Sequence, residues 1–186
     1  MTSRSPVEGE TPELSRLVTE EALARGAFTL DIDASGDERA ALARRFGLLA
    51  VDQLTANVSL ESQGREILLE GSLEAEVSQA CVVTLDPVHS TIASRFSVRY
   101  MSPDDFAEHM IGEEEEAFLD PESEDIEPLP DHGIDVGEVV SQYLMLALDP
   151  YPRKAGMDLG AVGSGSADAE ARENPFAVLK KLQDRG

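Results

Sequence analysis

The residues best suited to catalysis or metal binding are one cysteine, Cys81, and three histidines. His89, His109 and His132 are too far apart in the sequence to form the paired ligands of a helical metal site. Cys81 opens the apolar segment 81–85, which predicts a buried, inert thiol, and the sequence offers no base to activate it. We therefore expect no metal, no cofactor and no small-molecule substrate.

Carboxylates offer a second kind of chemistry. Asp104, Asp105 and Glu108 are candidate ligands for a divalent metal in an RNA-processing enzyme. Such an enzyme needs carboxylates that helix or strand ends hold rigidly, whereas these fall in the segment 103–133, whose composition is typical of a loop. A metal-dependent RNA-processing enzyme is therefore the alternative interpretation and not the preferred one.

Arginines could contact RNA phosphates. The candidates are two arginines on the outward face of one predicted strand and one that follows a helix: Arg95, Arg99 and Arg153. Three more arginines share the helix predicted over 38–46. The competing interpretation is ordinary surface charge in exposed ion pairs, each worth under about 1 kcal/mol.

The charge of the chain is strongly negative. Its 186 residues include 37 acidic and 15 basic side chains, a formal charge of −22. Sixteen of the acids and no Lys or Arg fall within 101–152, so the rest of the chain carries only −6 of that −22. This charge repels nucleic acid at long range and favours a basic partner. A solvated insert that maintains solubility and a surface that mimics nucleic acid are the alternatives.

Alternating apolar and polar residues predict four strands, over 28–33, 51–61, 67–80 and 91–101. Gln63-Gly64 predicts a hairpin turn, and the apolar segment 81–85 reads as a further short strand that ends at Asp86-Pro87. Consecutive strands with short connections predict an antiparallel meander in an α+β fold. The pattern does not distinguish an open sheet from a barrel.

Two helices are expected to accompany this sheet. The segment 38–46 is rich in helix formers and ends at Gly47. A second helix begins at Ile134, with Asp135 as its N-cap and Glu138 completing a capping box. The Asp-Pro-Tyr-Pro sequence that follows ends this helix.

Composition divides the chain into four parts. They are a flexible arm (1–12), one α+β domain (13–153) with the acidic loop 103–133, a flexible linker (154–173) and a short helix (174–186). Phe176, Leu179 and Leu182 form an apolar stripe on that last helix, which is too short to be stable without a docking partner. The lack of a signal-peptide core, of a membrane-length apolar stretch and of a second cysteine predicts a cytoplasmic protein.

Four strings of the sequence resemble the YceD family, the large ribosomal RNA subunit accumulation proteins. They occur in the family's order, and the resemblance as a whole runs over about 12–182. The strings are ERAALARRFG (38–47), QACVVTLDP (79–87), IDVGEVV through LALDPYPR (134–153) and NPFAVLKKL (174–182). The occurrence of all four strings in this order makes the resemblance specific.

The resemblance implies a bacterial cytoplasmic protein needed for normal levels of large-subunit ribosomal RNA. It implies structural or interaction roles at the matching positions: Cys81, Thr84, Leu85, Pro87, Asp149, Pro150, Tyr151, Pro152 and Arg153. Many relatives carry a second cysteine three residues after the first and more near the C-terminus. Here Thr84 takes that place and no cysteine follows Asp149, so a zinc site is not carried over.

We therefore expect a non-enzymatic ribosome biogenesis factor that acts by binding. In one version, the acidic loop and the apolar C-terminal helix hold a basic ribosomal protein. In the other version, the arginines bind precursor ribosomal RNA directly. The candidate binding residues are Arg95, Arg99, Arg153, Phe176, Leu179 and Leu182.

Overall fold

The central element of the protein is a five-stranded sheet. The computed structural model describes residues 12–23, 26–112 and 125–154. The chain divides into the units Met1–Arg153 and Lys154–Gly186, and the sheet belongs to the first. Its strands, in spatial order, are β2 (Phe28–Asp33), β3 (Ala50–Gln63), β4 (Glu66–Ala80), β5 (Pro87–Met101) and β6 (Asp125–Pro128).

The first four of these strands form an antiparallel meander, and β6 joins β5 in parallel. The α+β fold class is therefore confirmed. In the part of the chain that the structure describes, β2 and β6 are separate edges, so the sheet is open and is not a barrel.

The other elements surround this sheet. They are the strand pair β1 (Leu17–Val18) and β7 (Ile134–Asp135), and the helices α1 (Glu20–Leu23), α2 (Gly36–Phe46), α3 (Pro103–Gly112) and α4 (Val136–Ala147). Helix α2 packs against β3, α3 against β5 and β6, and α4 against β4 and β5. Helix α2 ends at Gly47 in the left-handed conformation (φ 66°), as its sequence predicts.

The core lies on one face of the sheet, as strict alternation requires. Most alternate residues in the middle of β3, β4 and β5 are buried there, including Leu54, Val58, Leu60, Leu69, Leu73, Val77, Phe96 and Val98. Helix α4 adds Val136, Val140 and Leu144. Arg95 lies on the opposite, exposed face, as predicted.

The closest packing in the core is between a glycine and a phenylalanine. Gly71 is the cross-strand partner of Phe96, and a Cβ atom at position 71 would overlap the Phe96 ring. The ring therefore lies flat over β4, and it stacks on Tyr143 of α4 at a centroid separation of 4.6 Å. Gly71 thus sets the distance between the sheet and this helix.

The secondary structure predicted for two segments is wrong. The segment 81–85 is not a strand but the turn between β4 and β5, where Leu85 adopts a left-handed backbone conformation with φ 62°. Tertiary context overrides the β propensity of its valines, because two long antiparallel strands need a reversal at this point. The segment 103–133 is not wholly a loop, because α3 and β6 lie within it.

Helix α2 begins with a capping box that also receives a tertiary ion pair. Ser35 accepts a hydrogen bond from the Glu38 amide, and the Glu38 carboxylate accepts one from the Ser35 amide (2.8 Å). Arg16 donates to the same carboxylate at 2.7 Å. These hydrogen bonds, chiefly the one from Arg16, lower the pKa of Glu38 to about 2.

Replacing Glu38 with glutamine is expected to destabilise the protein by about 1 kcal/mol at pH 7. Because the folded-state pKa of Glu38 is depressed, its stabilisation is complete above about pH 4.5 and is lost as pH falls toward 2. Urea unfolding of the wild type and of Glu38→Gln should therefore show a difference in the free energy of unfolding that becomes smaller as the pH falls from 7 to 2.5. A difference that does not change with pH would contradict the ion-pair assignment, and exposed Glu108→Gln is the control.

Helix α4 has the predicted N-cap but not the predicted capping box. Asp135 accepts hydrogen bonds from the amides of Gly137 and Glu138. The Glu138 carboxylate instead binds the Arg45 guanidinium of α2 at 2.6 and 2.7 Å, and Arg45 also reaches Glu13 at 3.0 Å. The hydrogen bonds from Arg45 hold the pKa of Glu138 below its ordinary value. Arg45 therefore links α2 to α4 through its ion pair with Glu138.

Candidate partner-binding site

The second face of the sheet is exposed and acidic. Its outward side chains include six carboxylates, all solvent-exposed, that together define the acidic face: Asp31, Asp33, Glu61, Glu70, Glu74 and Glu76. The alternation that buries the core residues on one side necessarily directs these residues to the other. The sequence showed the alternation, but the gathering of acids from β2, β3 and β4 depends on strand register.

The three β4 carboxylates of the acidic face, Glu70, Glu74 and Glu76, have no basic residue directly opposite them. Their cross-strand neighbours are uncharged: Ser59 and Ser97 for Glu70, Thr55 and Ala93 for Glu74, and Gln53 and Thr91 for Glu76. Among the described residues, no ion pair joins any of the three to a basic side chain. Their negative charge is directed to solvent, and Arg95, which is diagonal to Glu70 and Glu74 across the β4–β5 pair, offsets only part of it.

The acidic face contains a shallow depression of about 440 Å³. Asp31, Asp33 and Glu74 line it, together with Asn57 and Ser72. Asn57 donates a hydrogen bond to Asp31 at 2.6 Å, which fixes that carboxylate in place. The depression offers acceptors for hydrogen bonds from cationic side chains.

The structure does not bring the three candidate arginines together. Arg95 and Arg99 lie on the exposed side of β5, as expected, but they are next to the acids of β4, and Arg99 pairs with Glu66 at 3.0 Å. Arg153 lies near the other end of β5. It follows Pro152, whose carbonyl accepts a hydrogen bond from the Val82 amide in the β4–β5 turn. The residues described thus do not form the basic face that the RNA-binding hypothesis needs.

Two of the family-like strings meet in space. The turn at 79–87 and the tail at 149–153 together define the motif junction. The Gln79 side chain donates to the carbonyl of Asp149, and the Val82 amide donates to the carbonyl of Pro152, both at 2.9 Å. The two strings are therefore neighbours in the fold, joined by these hydrogen bonds.

Local hydrogen bonds shape the two halves of the motif junction. The Cys81 amide donates to the Asp86 carbonyl at 2.8 Å, and the Leu85 amide donates to the Cys81 carbonyl at 2.9 Å. In the tail, the Asp149 carboxylate accepts a hydrogen bond from the Tyr151 amide at 2.9 Å, an Asx turn that Pro150 reinforces by fixing its own φ. The backbone of the junction is therefore well defined.

The motif junction exposes large apolar side chains. Val82 is 48% exposed, Tyr151 70% and Leu85 76%, and we call these three residues the apolar tip. Cys81 and Pro152 are buried beneath them, and Thr84, Pro87, Asp149 and Pro150 are exposed. Burial of Cys81 agrees with the predicted inert thiol.

Sequence reasoning missed a cluster of three polar side chains, Asp52 of β3, Ser78 of β4 and His89 of β5. The buried hydroxyl of Ser78 lies 3.1 Å from an Asp52 carboxylate oxygen and 2.8 Å from Nδ1 of His89. Ser78 bridges the other two residues and is only 4% exposed, so it lacks the access of a nucleophile. Residues 78 and 89 face each other only through the β4–β5 register, which no local pattern reveals.

The acids considered for a metal-dependent enzyme are on α3. They therefore lie on a helix and not in a loop. The expected loop, which was the argument against a metal site at these carboxylates, is wrong. Asp105 accepts hydrogen bonds from Arg65 at 2.9 Å and Ser102 at 2.8 Å, so its carboxylate is already engaged. Within residues 12–23, 26–112 and 125–154, no three His, Cys, Asp or Glu side chains are grouped to hold a metal.

Other expectations remain untested. Phe176, Leu179 and Leu182 lie outside the described residues, so their role as a binding stripe stays a prediction. No helix in the described ranges is both long enough and apolar enough to cross a membrane.

The fold and the exposed surfaces define a small α+β protein with an open sheet, an acidic outer face and an apolar tip. The chain belongs to the YceD family. The family model described as "Large ribosomal RNA subunit accumulation protein YceD" matches residues 69–183. The matched region includes most of β4, all of β5 and α4 and the whole motif junction, whereas the string at 38–47 lies outside it. No curated protein and no solved structure matches the chain significantly.

Membership gives the protein a role in the accumulation of large-subunit ribosomal RNA.

Proposed function

We propose that this protein is a non-enzymatic, cytoplasmic ribosome-assembly factor that binds a basic ribosomal protein through its acidic face. The observation that carries the proposal is the row of Glu70, Glu74 and Glu76 on β4, which has uncharged neighbours across both adjacent strands. Arg95 is a diagonal neighbour of Glu70 and Glu74, but the carboxylates outnumber it, and a surface with excess negative charge attracts cations and repels phosphates.

Such a surface can act as a temporary substitute for RNA. A ribosomal protein that must later bind ribosomal RNA carries Lys and Arg side chains that otherwise attract any polyanion. Carboxylates spaced along β4 neutralise those side chains, and the denser charge of RNA phosphates displaces them when the RNA is available. Steady delivery of such a protein would support accumulation of the large-subunit RNA.

Direct binding of precursor RNA is the second candidate. It rests on Arg95 and Arg153, which are exposed. The acids around Arg95 oppose it, because the Glu70 and Glu74 side chains are its diagonal neighbours across the β4–β5 pair. A phosphate approaching Arg95 would meet carboxylates first.

Capture of ribosomal components by the tagged, full-length protein, with and without RNase, distinguishes the two candidates. We expect one or more large-subunit proteins to remain bound after RNase, and we expect the pair Arg95→Glu, Arg99→Glu to leave that capture unchanged. Loss of every ribosomal component after RNase would contradict the proposal. A large loss of bound RNA in the arginine variant, with RNase omitted, would favour direct RNA binding.

A further inference from the structure

Strand β2 is an open edge of the sheet. Within the described ranges it pairs with β3 alone, so no strand lies along the other side of its backbone. Ala34 continues the register of this pair and donates its amide to the Leu54 carbonyl at 3.0 Å. Hydrogen-bonded pairs in an antiparallel ladder recur at every second residue. The amides and carbonyls of Thr29, Asp31 and Asp33 therefore point away from β3.

The side chains of β2 give this edge two different sides. Thr29, Asp31 and Asp33 are exposed on the outer side of the sheet, where the two aspartates belong to the acidic face. Phe28 and Leu30 lie on the inner side, where they pack against the core but remain partly exposed. The open edge thus presents carboxylates on one side and apolar surface on the other.

This edge has few of the features that prevent a sheet edge from pairing. The strand Phe28–Asp33 contains no proline and no lysine, and its register with β3 is regular over all six residues. Its aspartates protect it by charge, because a second copy paired through β2 would bring the aspartates of two copies together on one side. The same charge favours a cationic strand.

The depression in the acidic face lies beside this edge. Asp31 and Asp33 of β2 line it together with Glu74 of β4. Neighbouring strands are about 4.8 Å apart, so a lysine or arginine on a strand added to β2 is long enough to extend over β2 into the depression. Carboxylates from two strands would accept hydrogen bonds from that side chain.

We propose that β2 binds an extended, basic segment of the partner as an additional strand of the sheet. The inference rests on the proposed function and states how the partner is held. Residues opposite each other in a ladder project to the same side, so lysine or arginine would face Thr29, Asp31 and Asp33. The alternate residues of the segment, next to Phe28 and Leu30, would be apolar. Backbone hydrogen bonds supply affinity, and the alternate side chains supply specificity.

Thr29→Pro tests the added strand without changing the charge. The Thr29 amide points away from β3, so proline removes no ladder hydrogen bond, and the melting temperature should stay close to that of the wild type. The probe is RNA-free total protein of the large ribosomal subunit, and the bait is the tagged full-length protein. The variant should retain the ribosomal protein about tenfold less strongly, because proline removes a donor and obstructs the added strand.

Thr29→Ala is the matched control, because it keeps the amide, and it should bind as the wild type does. Equal retention by Thr29→Pro and Thr29→Ala would overturn strand addition and leave the acidic face intact as the binding surface. If the wild type retains no ribosomal protein even at low salt, the proposed function is overturned, and the inference that rests on it falls too.

Amide hydrogen exchange in the full-length wild type gives a second measurement that needs no variant. In the free protein the amides of Thr29, Asp31 and Asp33 should exchange rapidly, whereas those of Leu30 and Ile32, which face β3, should be protected. The probe is a short peptide in which lysine and valine alternate. It should slow exchange at the three edge amides about tenfold or more.

The control peptide has the same composition, with its lysines in one block and its valines in another. It carries the same charge but cannot place every lysine on one side of an added strand, so it should bind more weakly. Equal affinity of the two peptides, or unchanged exchange at the edge amides, would overturn the proposal. Edge amides that become protected in a concentration-dependent dimer would identify a second copy as the occupant and would also overturn it.

Discussion

Replacing Gly71 with alanine is expected to lower the free energy of unfolding by about 2–3 kcal/mol, or the melting temperature by about 5–10 °C. The added methyl group would occupy the position of the Phe96 ring. Phe96 is buried and stacked on Tyr143, so the ring cannot move away without separating α4 from the sheet. Differential scanning calorimetry and urea unfolding measure the effect.

The matched control is another glycine. Gly36 is the first residue of α2, and a Cβ atom at that position would meet nothing within 4 Å. Gly36→Ala should therefore be neutral or slightly stabilising. If Gly71→Ala were as stable as Gly36→Ala, the close contact with Phe96 would be refuted.

A second variant tests the cause of the destabilisation. Phe96→Leu removes the ring that the new methyl group would meet. In the double variant Gly71→Ala, Phe96→Leu, the loss should be smaller than the sum of the single losses, by about 1–2 kcal/mol. Additive losses would mean that the methyl group acts through something other than Phe96.

The strands could be predicted from the sequence because their pattern is local. A period of two identified β2, β3, β4 and most of β5, and it assigned Arg95 and Phe96 to opposite faces. The neighbours of each strand required register, which depends on pairing between distant segments. The sequence therefore does not reveal the acids beside Arg95, and Arg95 and Arg99 were candidates for a surface that contacts RNA.

The errors have similar physical causes. Segment 81–85 has strand-forming residues, but the demand for a chain reversal places Leu85 in a left-handed conformation. The Glu138 carboxylate binds Arg45 and not its own helix end, because a guanidinium from α2 is a stronger partner than a backbone amide. The acidic composition of 103–133 hid both α3 and β6. The partners of Glu138 and of β6 are distant in the chain, on α2 and β5, so no local pattern reveals them.

Reversing the charge of the β4 row, in the triple variant Glu70→Lys, Glu74→Lys, Glu76→Lys, is expected to weaken retention of the ribosomal protein about 100-fold at low salt. Each reversal replaces an attraction with a repulsion, and roughly 1 kcal/mol at each of three sites corresponds to two orders of magnitude. The wild-type affinity should fall steeply with salt, whereas that of the variant should depend little on it. The probe is RNA-free total protein of the large ribosomal subunit, and retention is measured at several salt concentrations.

The control must change the net charge equally at another surface. The triple variant Glu21→Lys, Glu108→Lys, Asp131→Lys also reverses three exposed acids, none of which lies on the acidic face. If position matters, this control should lose less than about tenfold, because separated charges beyond a Debye length of about 10 Å are largely screened. Equal losses in the two triple variants would mean that only the overall charge attracts the partner. Undiminished binding by the β4 variant would exclude the acidic face as the binding surface, because a partner held there cannot be indifferent to the sign of the three charges beneath it.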